Sequence, residues 1–240
     1  MGKKGVLLMN VGTPDEPTVA SVRTYLREFL LDPDVIDIPA PLRHLLVRGI
    51  ILRTRPRKIA PLYKSIWMED GSPLRVYSKR VTENLRTINH DIEFEFAMRY
   101  GNPSIRSGLE KLKASGVTDL LLLPMFPHYA QATTESSLKH AHKELGDMKW
   151  QPTLLEMGHF ETAEEFIGPL TESIRPHLDD DTHLLFSTTV YPCLTSSELT
   201  VRRTTVRPLR LAARSSAKRT ASATVGTATK PPWPSWNGWD

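Results

Sequence analysis

Cysteine is all but missing: Cys193 is the one instance in 240 residues. That excludes a disulfide framework or a thiolate cluster within the chain and fits a reducing compartment. No apolar run approaches the length of a membrane span. Lys3 and Lys4 precede GVLLMNV, but this run is too short for a secretory leader, and GTPDEP follows without a cleavage motif. Val6 stands where a myristoylation signal wants Ser or Thr. A glycine-rich phosphate loop, HExxH and CxxC are all absent, which leaves dinucleotide, nucleoside-triphosphate and zinc readings without support. The expectation is a cytoplasmic protein, with 40% hydrophobic and 24% charged residues and length enough for a real core.

Acid is scarce only at one end. Residues 188–240 carry eight Lys and Arg against Glu198 and Asp240, a net of +6, which leaves residues 1–187 at −2. The basic pI is therefore a property of the tail and gives no reason to expect nucleic-acid binding by the folded part.

What is present is a regular alternation of strand and helix signals. Gly5–Val11 reads as a buried strand closed by Gly12-Thr13-Pro14. Thr18–Leu31 has helical period and is ended by Asp32-Pro33. Pro41–Arg53 offers a wide apolar surface interrupted by Arg43, His44 and Arg48; it can be core, a pocket wall or a membrane-facing lip, with core the default. Arg53, Arg55, Arg57 and Lys58 follow, either holding a ligand's carboxylates or forming a solvated charge run. After Tyr63 and a Gly71-Ser72-Pro73 turn comes a helix through Leu85. Glu93–Tyr100 is a strand delivering Arg99 near its end, Ser104–Ala114 a helix and Asp119–Met125 a strand. Glu135–Leu145 is a helix, Thr153–Met157 a strand, Ala163–His177 a helix and Thr182–Ser187 a strand. Such alternation predicts an α/β fold with a doubly wound parallel sheet.

The stretch Leu120–Ser137, LLLLPMFPHYAQATTESS, is the centre of this pattern. Its leucines read as a strand buried on both faces, and Pro124 and Pro127 stop the ladder. The polar, aromatic loop beyond holds Phe126, His128, Tyr129, Gln131, Thr133 and Thr134. Loops at the carboxyl ends of parallel strands are where open α/β sheets bind ligands, although an ordinary strand-to-helix connection fits the residues too. Thr134 or Ser136 is expected to cap the next helix.

Five segments together resemble ferrochelatase of the proteobacterial type. They are LLMNVGTPDEP at 7–17, YLREFLLDPDVID at 25–37, KIAPLYKSIWMEDGSPLRVYS at 58–78, AMRYGNPSI at 97–105 and LPMFPHYAQATTESSL at 123–138. The resemblance covers residues 5–187. It implies a Rossmann-like, chelatase-type unit whose second half is missing, with domain 1–187 followed by a low-order basic tail, 188–240. It implies insertion of ferrous iron into a porphyrin during heme biosynthesis, iron being a substrate and no resident cofactor being required. The character of residues 41–78 favours protoporphyrin IX over coproporphyrin. By the same resemblance Pro41–Leu52 is the lip over the cleft, with peripheral membrane contact as one use. Arg55, Tyr63 and Ser72 contact propionates or the ring edge, Val11 faces the metal's path without a donor atom, and Thr134 lies in the pocket loop. Arg99 buttresses that loop.

Relatives follow the Phe-Ser strand end with Tyr-His-Gly-Leu-Pro, whose His binds metal or accepts the pyrrole protons, and place a Glu partner in the second half. Here Phe186-Ser187 is followed by Thr188-Thr189-Val190-Tyr191-Pro192, so no catalytic residue and no metal ligand is assigned. His183 lies before the motif and reads as a strand residue. If Ser187 is TCT, the codons ACC ACG GTC TAC CCG TGC CTC encode residues 188–194. One C restored after TC turns them into Ser-Tyr-His-Gly-Leu-Pro-Val-Pro. The expectation is that residues 188–240 are an out-of-frame translation and that the chain is inactive. Two other readings stay open: a non-catalytic porphyrin- or heme-binding fragment, and a partner or nucleic-acid binder acting through the basic tail with Trp233, Trp236 and Trp239.

Overall fold

Period-two burial builds the centre of the molecule. In β1 (Lys4–Gly12), Leu7 and Met9 point to one layer and Val6 and Leu8 to the other. The computed structural model describes residues 2–179 together with Thr182, Leu184 and Leu185. In it, β1 pairs in parallel with β2 (Ile92–Tyr100) and with β3 (Asp119–Pro124), and β3 pairs with β4 (Thr153–Glu156). The strand order is β2-β1-β3-β4. Register is set by this alternation: Leu7 lies beside Leu122 in β3 and Glu95 in β2.

Among the described residues, seven α-helices complete the unit: α1 (Val19–Leu31), α2 (Ala40–His44), α3 (Leu52–Ile66), α4 (Pro73–Ile88), α5 (Ile105–Ala114), α6 (Ser136–Asp147) and α7 (Glu164–Ile174). Leu85 of α4 covers Val6, Leu8 and Phe94 on one sheet face. Ile105, Leu109 and Leu112 of α5, with Ala141 and Leu145 of α6, cover Leu7, Met9, Leu120 and Leu122 on the other. The fold is therefore the expected α/β, doubly wound parallel sheet. Its winding reverses between β1 and β3, because the chain leaves β1 for one neighbour and later arrives at the other.

Local chemistry explains most boundaries. The hydroxyls of Thr18, Ser72 and Ser104 accept from the N–H groups of Ser21, Arg75 and Ser107, capping α1, α4 and α5. Gly12 has φ +110°, and a Cβ there would lie 1.9 Å from the Tyr100 carbonyl oxygen, so only glycine lets β1 turn away against β2.

Two expectations need correction, and one unassigned stretch gains an element. Neither Thr134 nor Ser136 caps a helix. A π-helical turn, Gln131–Glu135, precedes α6, its cap position is Ala130, and the two hydroxyl residues lie inside the helical run. The basic stretch after Arg53, to which the sequence assigned no element, lies on α3, which holds Pro56 and Pro61. It continues directly from α2 through a π-helical segment, Leu45–Ile51. Pro56 has no N–H for the Leu52 carbonyl four residues back, and Arg23 Nε donates to that carbonyl instead, at 3.2 Å. Finally, the strand read at Thr182–Ser187 falls largely outside the described residues, and Thr182, Leu184 and Leu185 form no strand. The tail 188–240 also lies outside them.

Candidate functional site

The loops leaving β1 and β3 flank the point where the winding reverses, the usual place for a crevice in an open α/β sheet. A third segment, the turn after α1, is tied to them by a buried polar cluster. Asp32 is 7% exposed. Its Oδ2 accepts from Arg99 Nη2 at 2.5 Å, from the Tyr100 hydroxyl at 2.7 Å and from Ser136 Oγ at 2.8 Å. Its Oδ1 accepts from the Asp34 N–H at 2.8 Å. Arg99 Nε also donates to the Ser136 carbonyl at 3.1 Å and to its Oγ at 2.8 Å. One carboxylate thus joins the end of α1, the end of β2 and the start of α6.

The electrostatics of the cluster agree with a charged Asp32. Burial alone raises its pKa, but hydrogen bonds from Tyr100, the Asp34 N–H and Ser136, with the Arg99 charge, outweigh that and hold it below the ordinary aspartate range. Tyr100 moves the other way, upward, chiefly through burial. His140 on α6 is lowered by burial and then by Arg99, so it is neutral at pH 7. Next to the cluster, Asp34 Oδ1 accepts from Gln131 Nε2 at 3.1 Å and Lys139 Nζ at 3.0 Å, fixing the turn beyond β3. Arg99 therefore buttresses the loop.

The five residues singled out for substrate contact fall into two groups. Val11, at the end of β1, and Tyr63, on α3, pack against the same apolar cluster around Val22, Tyr25, Val47 and Tyr100. The Tyr63 ring stands edge-on to Tyr25, centroids 6.4 Å apart, and burial raises its phenol pKa. Arg55 is exposed on the same helix, about 12 Å along the axis from Tyr63 at 1.5 Å per residue, and no carboxylate pairs with it among the described residues. Ser72 and Thr134 are interior: Ser72 is 3% exposed and occupied in capping α4, while Thr134 is fully buried. Thr134 Oγ1 and Ser137 Oγ are enclosed without a hydrogen-bond partner among the described residues. A ligand meets Thr134 only after neighbouring groups move.

The segment Pro41–Leu52 divides its apolar surface. Val47 and Leu52 are core, whereas Leu42, Leu45 and Ile50 stand 53%, 68% and 61% exposed. Arg43 is a clamp, its Nη1 donating to the Ile36 and Ile38 carbonyls at 3.2 and 3.0 Å. His128 is exposed on the loop after β3. Among the described residues no group of three His, Cys, Asp or Glu is placed to hold a metal ion, and no helix is long and apolar enough to cross a membrane.

Reading the sequence alone missed Asp32, Tyr100 and Ser136 as one unit. Asp32 served there only to stop a helix. The available signal was an Arg-Tyr pair ending a strand, two fixed polar groups that require a buried acceptor.

Comparison with known proteins accords with this geometry. Residues 3–193 match the ferrochelatase family model. The chain is 44% identical over 182 residues to ferrochelatase 2 of Shewanella oneidensis, covering 74% of this chain and 56% of that protein. It is 40% identical over 178 residues to the ferrochelatase of Marinobacter nauticus, covering 72% and 48%. With the ferrochelatase of Dechloromonas aromatica it shares 41% identity over 192 residues, covering 76% and 52%. The chain spans about half the length of the curated relatives it matches.

Proposed function

This chain belongs to the ferrochelatase family, and on that premise we propose that it binds protoporphyrin IX at the carboxyl ends of β1 and β3, for the insertion of ferrous iron in heme biosynthesis. The carrying observation is that Val11 and Tyr63 share one apolar bed while Arg55, on the same helix as Tyr63, keeps its guanidinium unpaired among the described residues. A flat macrocycle with carboxylate arms needs both kinds of surface.

Each residue then has a physical task. Arg55 receives a propionate through its planar fork. Tyr63 presents a ring edge and Val11 an apolar contact that cannot ligate the metal. Ser72 acts by capping α4, and Thr134 shapes the loop after β3 from its interior. The Asp32–Arg99–Ser136 cluster holds the loop after β3 in place without touching the porphyrin.

Iron entry requires two pyrrole protons to leave, and a base must stand over the ring centre. Residues 2–179 supply binding groups and no matched base, so this chain holds the porphyrin without metallating it. The Pro41–Leu52 lip, with Leu42, Leu45 and Ile50 outward, makes peripheral contact with a membrane surface. Titration of protoporphyrin fluorescence with the 240-residue chain tests the binding claim. Saturable quenching is expected, weakened about tenfold by Arg55→Ala, the loss of one charge-assisted contact. Unchanged affinity in the variant would return Arg55 to the role of a solvated surface charge.

A further inference from the structure

A second cationic feature lies apart from Arg55. Arg23, Arg27, Arg48 and Arg53 line a shallow concavity of about 430 Å³ whose floor is Leu52. Among the described residues none of the four has a carboxylate partner. From Ile38 to Met68 the chain contains seven Lys and Arg and no Asp or Glu. Residues 1–187 are net acidic, so this concentration of positive charge is local.

Three structural devices bring the four arginines to one concavity. Arg23 and Arg27 are four residues apart and share one face of α1. Arg48 and Arg53, five apart, would diverge by about 140° under α-helical winding. The π-helical segment Leu45–Ile51, with its i→i+5 hydrogen bonds, changes that winding, and both residues border the concavity. Pro56 leaves the Leu52 carbonyl free, and Arg23 Nε is anchored on it at 3.2 Å. The two terminal nitrogens of Arg23 have no protein acceptor among the described residues.

Four arginines bordering one concavity concentrate positive charge that a bound anion would relieve, and their planar N–H forks match phosphate oxygens. We propose that this pocket binds a phosphate group, carried either by a soluble phosphoester or by an anionic lipid headgroup. Arg55 is not among its lining residues, while Arg48 and Leu52 belong to the Pro41–Leu52 lip.

The test uses the full chain, with inorganic pyrophosphate followed by calorimetry and, in parallel, sedimentation with phosphatidylcholine vesicles with and without phosphatidic acid. The variant Arg27→Gln/Arg48→Gln changes two exposed side chains. The control Lys113→Gln/Lys143→Gln removes the same charge from α5 and α6, which contribute nothing to the pocket. Expected is saturable binding weakened at least tenfold by the arginine pair and less than twofold by the lysine pair, with steep loss in salt. Pyrophosphate binding alone identifies a soluble phosphoester. Sedimentation that phosphatidic acid strengthens beyond phosphatidylcholine alone, with that increment lost in the arginine variant, identifies the lipid. No binding of either probe, or equal weakening by both pairs, would overturn the proposal.

Discussion

Replacing Asp32 with asparagine keeps the shape of the side chain and removes the negative charge that three segments share. Arg99, Tyr100 and Ser136 all donate to Oδ2, and the Asp34 N–H donates to Oδ1. Asparagine retains one acceptor oxygen and turns the other position into a donor facing donors. Hydrogen bonds to a charged group contribute about 1.5–3 kcal/mol each, and breaking one side of a buried ion pair costs about 3–5 kcal/mol. Because the Arg99 side chain keeps 16% exposure and can rehydrate in part, we expect Asp32→Asn to cost about 2–4 kcal/mol. The assay is urea unfolding at pH 7 followed by circular dichroism. The pH dependence has a definite sign. The folded-state pKa of Asp32 is lowered, so its contribution is fully present above the ordinary aspartate value, about pH 4. It is lost as pH falls through the lower folded value. The gap between wild type and variant should thus stay constant from pH 7 to about 5 and narrow below about pH 4. A variant within about 0.5 kcal/mol of wild type at pH 7, the range of a neutral surface change, would refute the cluster as the tie between α1, β2 and α6.

Gly12→Ala combines a positive φ with a Cβ 1.9 Å from a backbone oxygen, and should destabilise by about 3 kcal/mol or more in the same unfolding assay. Leu45→Ser at a 68% exposed position should leave stability within about 0.5 kcal/mol yet reduce sedimentation with neutral phosphatidylcholine vesicles; undiminished sedimentation would remove the lip from membrane contact. Thr134→Val removes a buried hydroxyl that has no partner among the described residues, so stability should hold or rise slightly, and a loss above about 1 kcal/mol would reveal a hydrogen bond formed in solution.

Strands and most helices could be read because their apolar periods are strong: Leu7 and Met9 against Val6 and Leu8 announce β1, and the Ser and Thr caps announce α1, α4 and α5. α3 was hidden by Pro56 and Pro61, which ordinarily argue against a helix interior; tertiary contacts such as Arg23 to the Leu52 carbonyl compensate for them. π-helical turns have no sequence period of their own, so the caps assigned to Thr134 and Ser136 failed. The polar cluster depends on residues 67 and 104 positions apart, a pairing no local pattern carries. Arg55, Tyr63 and Val11 were chosen by resemblance, and the fold leaves Arg55 on the surface with Tyr63 and Val11 half-buried.

The most direct measurement titrates protoporphyrin IX with the 240-residue chain and then adds Zn²⁺ or Fe²⁺ to the same sample while absorbance is followed. Saturable porphyrin binding is predicted, with metalloporphyrin forming no faster than in the protein-free control, because no base for the pyrrole protons is matched among the described residues. Clear turnover that disappears in His128→Ala would contradict the account by placing the base on the loop after β3, and an absence of saturable binding would contradict the site itself.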